Sequence, residues 1–292
     1  MKEGRFRFRG WSLWCGTIGP KSAIPPIVFV PGGPGMPHGS FEPMARHAPA
    51  ERALIYYDPT GSGLSDRPAG VTWDLDLFVD ELEALRAALG LDRFHLFGSS
   101  FGGLVCLAFA LRRPPGLASM VLAGASASYP EVRAAVKRRL ETLAPATRDP
   151  LLAETHEHGP DLPNGPAYAR AYQDYATQFL CRVPFPPALA AAVRRANHEA
   201  MNRMRGRGLM YDGTLRDVDL SARLGDLDVP ALLAYGRHDP LYPEVGEALQ
   251  RSLRGSRLVV FAESSHMPQF EEEAAFSRAM YQFLDEVDGR RG

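Results

Sequence analysis

A serine set between glycines, in Gly98-Ser99-Ser100-Phe101-Gly102, is the segment of this 292-residue chain best suited to covalent chemistry. An apolar run from Phe94 to Phe97 precedes it, and apolar residues at helical spacing follow it as far as Pro114. A serine on a strained turn from a strand into a helix exposes its hydroxyl, and the residues two positions away must be very small. The pattern therefore predicts that Ser100 is a nucleophile that forms an acyl-enzyme.

An acid and a base follow later in the chain, each soon after an apolar run. Asp239 follows the run 231–235, and His266 follows the run 258–261. The carboxyl ends of parallel strands meet at one edge of an open sheet, where such folds bind their ligands. We expect His266 to accept the Ser100 proton and Asp239 to hold the imidazole in the required tautomer.

A glycine-rich turn, Pro31-Gly32-Gly33-Pro34-Gly35, follows another short apolar run. Glycines allow backbone amides to approach a ligand closely, and Pro34 has no N–H to donate. Gly33 is therefore the best donor of this turn. Together with the amide of Phe101, it is predicted to form an oxyanion hole.

Other histidines compete for the role of base. His95 lies within a predicted strand and His238 is next to Asp239, so both are interpreted as structural or pocket-lining residues. The triplet His156-Glu157-His158 lacks the helical i,i+4 spacing of a zinc motif. We expect neither a metal nor a cofactor.

The order of the predicted elements indicates an α/β fold. Strand and helix patterns alternate on both sides of Ser100, which predicts a mostly parallel central sheet with helices on its faces. Residues 129–225 contain helical patterns separated by prolines and no clear strand. The predicted organisation is a core of residues 1–128 and 226–292 with residues 129–225 inserted as a helical cap.

Composition restricts the partners and the compartment. The formal net charge of -1 does not favour binding to nucleic acid or to an anionic membrane. Three widely spaced cysteines fit neither a disulfide framework nor a zinc site. The first residues lack the apolar run of a signal peptide, so we expect a cytoplasmic protein without a membrane association.

Over nearly its full length the chain resembles the proline iminopeptidase family, the S33 serine peptidases of the α/β-hydrolase superfamily. The matching segments are Gly32-Gly33-Pro34-Gly35, Asp58 with Gly61-Ser62-Gly63 and Ser65, the predicted helix from Asp80 to Arg86, Gly98-Ser99-Ser100-Phe101-Gly102-Gly103, and the Asp239 and His266 loops. The resemblance implies an α/β-hydrolase core that cleaves an N-terminal residue, often proline, from small peptides or amides without a cofactor.

The chain departs from the family pattern at three points. Pro31 stands where members usually have histidine, Pro59-Thr60 replaces Gln-Arg, and Pro240 occupies a position where some members have a glutamate that binds the substrate amine. In the cap, Tyr168, Tyr172, Tyr175 and Phe179 share one helix face, which is typical of a helix core but also suits a pocket wall for a flat ring.

Candidate substrate contacts are therefore Tyr168, Tyr172 and Tyr175, with Glu199 as a candidate partner for a substrate amine. Glu154 and Asp174 are further acids of the cap. Two alternatives to an aminopeptidase remain open from the sequence. One is an esterase, lactonase or biosynthetic amidase with the same triad, and the other is a non-catalytic protein that binds a small molecule on the same fold.

Overall fold

An eight-stranded β-sheet forms the centre of the molecule in the computed structural model, which describes residues 1–152, 165–206 and 208–290. The strands are β1 (Lys2–Phe8), β2 (Trp11–Ile18), β3 (Ile27–Val30), β4 (Leu54–Tyr57), β5 (Phe94–Ser99), β6 (Leu117–Ala123), β7 (Ala231–Gly236) and β8 (Ser256–Phe261). Their order across the sheet is β1-β2-β4-β3-β5-β6-β7-β8. The β1–β2 and β2–β4 pairs are antiparallel, and all the other pairs are parallel. The mostly parallel α/β sheet expected from the sequence is confirmed.

The central strands are apolar throughout because both faces of the sheet are covered. In β3, Val28 and Val30 belong to the core on one face, and Ile27 and Phe29 belong to the core on the other. Side chains alternate between the two faces of a strand, so a strand buried on both faces has no polar positions. The short uninterrupted apolar runs in the sequence follow from this arrangement.

Ten α-helices and three short 3-10 helices occupy the described part of the chain. The α-helices position the site. They are α1 (Leu75–Leu89), α2 (Phe101–Ala110), α3 (Tyr129–Glu141), α4 (Pro145–Leu152), α5 (Gly165–Phe179), α6 (Pro187–Arg194), α7 (His198–Met204), α8 (Glu244–Ser252), α9 (Pro268–Glu271) and α10 (Glu273–Val287). The apolar faces of α1, α2 and α8 belong to one core cluster, and that of α10 belongs to the other. The two sheet faces are therefore covered by different sets of helices.

Helix α1 shows the end signals that its sequence predicts. The Asp74 side chain accepts a hydrogen bond from the Leu77 amide at 2.8 Å and caps the helix start. Gly90 ends the helix with a φ of 58°, a left-handed conformation that glycine adopts at low cost. These local signals position the helix that precedes β5.

Helices α3 to α7 all lie in the chain between β6 and β7. The chain enters and leaves this helical stretch at neighbouring points, since Ser128 and Asp219 form an antiparallel bridge. The Tyr129 amide donates to the Val218 carbonyl at 2.9 Å, and the Leu220 amide donates to the Ala127 carbonyl at 2.8 Å. These contacts join the two ends of the helical stretch. No helix of the described residues is long and apolar enough to cross a membrane.

A break in the helical path separates α9 from α10, the last helix of the described residues. The structure has α9 and α10 with Glu272 between them at φ -128° and ψ 53°. The Glu272 carboxylate accepts hydrogen bonds from the Glu263 amide and the Ser264 hydroxyl, at 3.0 and 2.6 Å. The break in the helix therefore allows a side chain to hold the loop that follows β8.

Candidate active site

Ser100 occupies the turn between β5 and α2 in a strained backbone conformation, with φ 54° and ψ -119°. The turn is possible because its flanking positions have no side chains. A Cβ atom at Gly98 would lie 2.6 Å from the Gly102 carbonyl oxygen, and one at Gly102 would overlap the Val30 carbonyl. Strain of this kind is retained where the surroundings enforce it, and it places the serine hydroxyl at the carboxyl edge of the sheet.

The turn after β3 lies directly beside Ser100. A Cβ atom on Gly32 would be 3.5 Å from the Ser100 Cβ, and Gly33 has a φ of 115°. The turn is held from below by the Ser62 hydroxyl, which donates to the Gly35 carbonyl at 2.7 Å. The loop after β4, which contains Gly61-Ser62-Gly63, therefore supports this turn.

Phe101 is the first residue of α2, where a backbone amide has no acceptor within the helix. Such amides carry a partial positive charge and suit the binding of an anion. Gly33, Ser100 and Phe101 line the same cavity. The amides of Gly33 and Phe101 are thus available near the serine for a developing negative charge.

Asp239 and His266 are in direct contact. The Asp239 side chain is fully buried, its Oδ1 accepts the Leu241 amide at 2.8 Å, and its Oδ2 lies 3.0 Å from Nδ1 of His266. A carboxylate can only accept, so Nδ1 carries the proton of the neutral imidazole and Nε2 is left as an acceptor. Burial lowers the pKa of His266, but the charge and hydrogen bond of Asp239 outweigh it and raise this pKa above 6.5.

The backbone on both sides of His266 is held by one carboxylate. Oε2 of Glu271 accepts the amides of Ser265 and Met267, at 2.9 and 3.0 Å. Its Oε1 accepts the Ser265 hydroxyl at 2.8 Å and the Arg182 amide at 2.8 Å. Glu271 therefore fixes the histidine loop and ties it to the segment after α5.

A cavity of about 790 Å³ opens over these residues. Ser100, Phe101, Gly33 and His266 line it, together with side chains of α5, α6, α7 and the loops between them. Most of the lining is apolar, which is usual for a small-molecule site with a few convergent polar groups. A serine, an imidazole with a free nitrogen and the residues that carry two free amides thus border one cavity.

Comparison with known proteins agrees with this geometry. Residues 25–273 match the sequence profile of the alpha/beta hydrolase fold family. The proline iminopeptidase of Heyndrickxia coagulans is 30% identical over 266 residues, which cover 90% of this chain and 91% of that protein. The chain belongs to the proline iminopeptidase family of α/β-hydrolases. The resemblance, the fold class and the assignment as a serine hydrolase are confirmed.

Two solved structures extend the similarity of this α/β-hydrolase to its inserted helices. The crystal structure of VinJ superposes with a TM-score of 0.92 at 30% identity and covers 98% of each chain. The crystal structure of the proline iminopeptidase of Mycobacterium smegmatis has a TM-score of 0.87 at 29% identity, covering 98% of this chain and 99% of that chain. The likeness therefore includes the helical insertion as well as the sheet.

Of the four candidate substrate contacts in this α/β-hydrolase, Tyr172 lines the cavity, whereas Tyr168, Tyr175 and Glu199 do not. Tyr175 is fully buried between the rings of Tyr172 and Phe179, because this face of α5 packs into the core. Glu199 is exposed and its carboxylate lies 3.0 Å from Arg203 one turn later. Tyr168, Tyr175 and Glu199 therefore lie outside the wall of the cavity over Ser100.

Asp174 is the other candidate acid between β6 and β7 that the structure describes. Asp174 is exposed and accepts the Thr147 hydroxyl at 3.4 Å. Glu154 and the triplet His156-Glu157-His158 lie outside the described residues. Within the described ranges, no group of three or more His, Cys, Asp or Glu side chains is arranged to hold a metal ion.

The competing histidine of β5 has a structural environment. His95 is buried, with Nδ1 2.8 Å from the Ser119 hydroxyl and Nε2 3.2 Å from Asp288. Burial lowers its pKa to about 4, although the charge of Asp288 opposes the shift. His95 does not line the cavity, so it has no access to a substrate proton there.

Two glycines of this α/β-hydrolase site were missed by sequence reasoning. A Cβ atom at Gly124, just after β6, would lie 2.8 Å from the His266 ring, and Gly124 has a φ of 55°. A Cβ atom at Gly236 would overlap the carbonyls of Ser264 and Ser265. Gly124 directly follows β6 and Gly236 is the last residue of β7, so a glycine at the carboxyl end of a strand was the available signal. They allow the acid and base loops to approach each other.

Proposed function

We propose that this serine hydrolase cleaves its substrate through an acyl-enzyme on Ser100. His266 accepts the hydroxyl proton at Nε2 as the oxygen attacks the carbonyl carbon, and it then gives that proton to the leaving group. Asp239 holds the tautomer and stabilises the imidazolium, and the amides of Gly33 and Phe101 bind the oxyanion. Water then attacks the acyl-enzyme by the same steps, releasing the acid and regenerating the serine.

The proposed substrate is a small peptide or amide from which the enzyme releases an N-terminal residue, with proline as the first candidate. The observation that carries this proposal is the match to a proline iminopeptidase over 90% of this chain, with a solved proline iminopeptidase superposing on 98% of it. Specificity in a hydrolase depends on the walls of the pocket, and here these walls include the inserted helices. The similarity of those helices to the helices of a proline iminopeptidase therefore supports a similar substrate.

Residues 129–225 are proposed to act as a cap over a core of residues 1–128 and 226–292. The bridge between Ser128 and Asp219 supports this division, because it closes the insertion at its base. Cavity residues come from both parts, for example Ser100 and His266 from the core and Tyr172 and Met201 from the cap. A substrate bound over Ser100 would therefore contact both.

A second candidate function is hydrolysis of an amide or ester without a free amine. It is favoured by the cavity lining, which contains no aspartate or glutamate from residues 1–152, 165–206 and 208–290. Pro240, where some family members have an acid, is among the lining residues. An ammonium group is bound most strongly by a carboxylate in a partly dry pocket, so the described lining offers it no strong partner.

The two candidates are separated by measuring kcat/KM for prolyl and alanyl arylamides with free and N-acetylated amines, beside a simple aryl ester. Loss of a buried ion pair costs about 2–5 kcal/mol, which corresponds to some tens to thousands of times in kcat/KM. An aminopeptidase should therefore lose activity on acetylation. Equal rates for the free and acetylated arylamides would rule out amine recognition and leave the amidase or esterase function.

A further inference from the structure

One part of the cavity wall is built from an arginine and tyrosines. Arg205 follows the last residue of α7 and lines the cavity together with Tyr129, Tyr172 and Tyr211. The guanidinium carbon of Arg205 lies 5.9 Å from the centre of the Tyr211 ring. Tyr129 and Tyr211 are in edge contact, with ring centres 6.1 Å apart. The sequence reasoning singled out none of Tyr129, Arg205 and Tyr211 as a site residue.

Apart from the cation–π contact with Tyr211, the Arg205 guanidinium has no partner for its charge in the described part of the chain. Its side chain makes no ion pair and no hydrogen bond with residues 1–152, 165–206 or 208–290, and its buried Nε–H is unpaired. A guanidinium is charged at every working pH and has five donors in a rigid fork. Leaving such a group without an acceptor is costly, so its presence at a cavity wall points to an acceptor supplied by a ligand.

The fixed charges along the cavity have one sign. Among the lysine, arginine, aspartate and glutamate residues of the described ranges, two line the cavity, and both are arginines: Arg182 and Arg205. Positive charges in a mostly apolar wall attract an anion and disfavour an ammonium group. The free donors of Arg205 and the positive charge of the cavity lining therefore both favour an anionic ligand.

The loop after Arg205 is built to a specific shape. Tyr211 has a φ of 53°, a left-handed conformation that is unfavourable for a bulky residue. A Cβ atom at Gly208 would lie 2.5 Å from the Tyr168 hydroxyl, and one at Gly206 would overlap Asp212. Among the described residues, four non-glycine positions have positive φ, and two of them, Ser100 and Tyr211, line this cavity. Backbone strain concentrates at functional positions, which is consistent with a binding role for this loop.

The neighbouring tyrosines can add neutral donors. Burial raises the pKa of Tyr129 and Tyr211 above the usual range, so both hydroxyls keep their protons at neutral pH. A protonated phenol can donate a hydrogen bond to a carboxylate oxygen. A ligand carboxylate beside Arg205 would thus have both charged and neutral donors within one wall.

We propose that Arg205 is a specificity-determining residue that binds a carboxylate of the substrate while the reacting carbonyl lies at Ser100. This inference rests on the proposed acyl transfer at Ser100. The carboxylate belongs either to the leaving group, as in a short peptide with a free C-terminus, or to the acyl group, as in a dicarboxylic half ester. Both sources supply the same planar pair of acceptors, which the guanidinium fork binds through two hydrogen bonds.

The test compares two substrate pairs that differ in a carboxylate alone. The first is prolylglycine and prolylglycinamide, and the second is the mono-4-nitrophenyl ester of suberic acid and its methyl ester. We expect the carboxylate member of at least one pair to have a kcat/KM higher by about 10- to 1000-fold. The pair that shows the preference identifies the side of the scissile bond.

Variants then assign the preference to one residue. In Arg205→Met the ratio within the preferred pair should fall to nearly one, and in Arg205→Lys it should fall partly because a point charge replaces the fork. The matched control is Arg203→Met, which removes an exposed arginine of α7 whose partner is Glu199. This control should keep the wild-type ratio. Thermal unfolding and fluorophosphonate labelling confirm that each variant is folded.

The failures of the two proposals are distinguishable. Hydrolysis of both pairs without a preference for the carboxylate overturns the role of Arg205 and leaves acyl transfer intact. The same is true if Arg205→Met and Arg205→Lys both keep the full preference. No hydrolysis of any substrate, together with no labelling by the fluorophosphonate, contradicts the proposed function itself.

Discussion

The backbone amide of His266 donates a hydrogen bond to the carbonyl of Phe179, at 3.2 Å. Phe179 is the last residue of α5, where a helix leaves carbonyls without intrahelical partners. One of these carbonyls is thus satisfied by the loop that carries the proposed base. Glu271 adds a second link, because it accepts amides from both Arg182 and the His266 loop. The position of the base therefore depends on how α5 and the segment after it pack against the loop that carries His266.

We expect Glu271 to act as a positioning residue. In Glu271→Ala the histidine loop loses three hydrogen bonds and the Arg182 amide loses one, and kcat should fall by about 10- to 100-fold with a smaller change in KM. Glu271→Gln should restore part of kcat. The charge of Glu271 also raises the pKa of His266, so in Glu271→Gln the acidic limb of the pH–rate profile should shift to lower pH.

The control for Glu271 is Glu286→Gln, which neutralises an exposed glutamate of α10 paired with Arg257 at 2.7 Å. It should leave kcat and the pH profile unchanged. An unchanged kcat in Glu271→Ala would show that the histidine loop holds its geometry without this carboxylate.

Replacement of Ser100 should remove covalent reactivity. A fluorophosphonate probe should label the native protein, and Ser100→Ala should not be labelled while its thermal unfolding stays close to the native curve. The loss in kcat should approach a million-fold, as for a triad serine elsewhere. Ser99→Ala, one residue earlier in the same turn, is the matched control and should still be labelled. Labelling of Ser100→Ala would place the nucleophile elsewhere.

His266 and Asp239 should act as one unit with Ser100. The double variant Ser100→Ala, His266→Ala should be scarcely slower than either single variant, because the losses are not additive. Asp239→Asn should lower kcat by about four orders of magnitude, because the amide favours the wrong imidazole tautomer. Rates near wild type for His266→Ala would contradict the assignment, and His238 would be tested next.

The pH dependence of activity follows from the same pair. The neutral form of His266 is the base, and Asp239 raises its pKa above 6.5. Activity should therefore be full above this pKa and fall as the pH drops through it, with a slope of one proton. The measurement is kcat/KM between about pH 5 and pH 9. Full activity at pH 5 would rule out this base.

A buried carboxyl away from the catalytic pair should control stability. The Glu81 side chain is fully buried, and its Oε2 accepts the Thr60 amide at 2.9 Å and the Thr60 hydroxyl at 2.5 Å. Burial is the main cause that raises its pKa from 4.5 to about 8, with the charge of Asp58 adding to the shift. The folded state therefore keeps Glu81 protonated over a range where the unfolded chain ionises.

The protonated Glu81 carboxyl stabilises the folded state. This stabilisation is complete below pH 4.5 and is lost as the pH rises towards about 8. Each pH unit between these values should cost about 1.4 kcal/mol of unfolding free energy. Urea unfolding should show this decline in the wild type and not in Glu81→Gln. The matched control is Glu83→Gln on the same helix, where the carboxylate is partly exposed beside Arg86. Parallel pH curves for the wild type and Glu81→Gln would contradict the prediction.

The sequence by itself determined the features that depend on neighbours along the chain. A serine between glycines needs a turn without side chains, and the close approaches around Gly98 and Gly102 show the steric reason. The N-cap of Asp74 and the left-handed Gly90 are likewise local. Uninterrupted apolar runs indicated strands covered on both faces, and the parallel order of those strands brought Asp239 and His266 to one edge of the sheet.

Only the tertiary structure decided which surfaces the helices between β6 and β7 present to the cavity. Periodicity shows that Tyr172 and Tyr175 share a helix face, but the docking of α5 buries Tyr175 and leaves Tyr172 at the cavity wall. In the same way Arg205 and Glu271 are unremarkable charges in the sequence. They acquire their roles because burial removes competing water and because distant segments supply, or fail to supply, the partner of a charge.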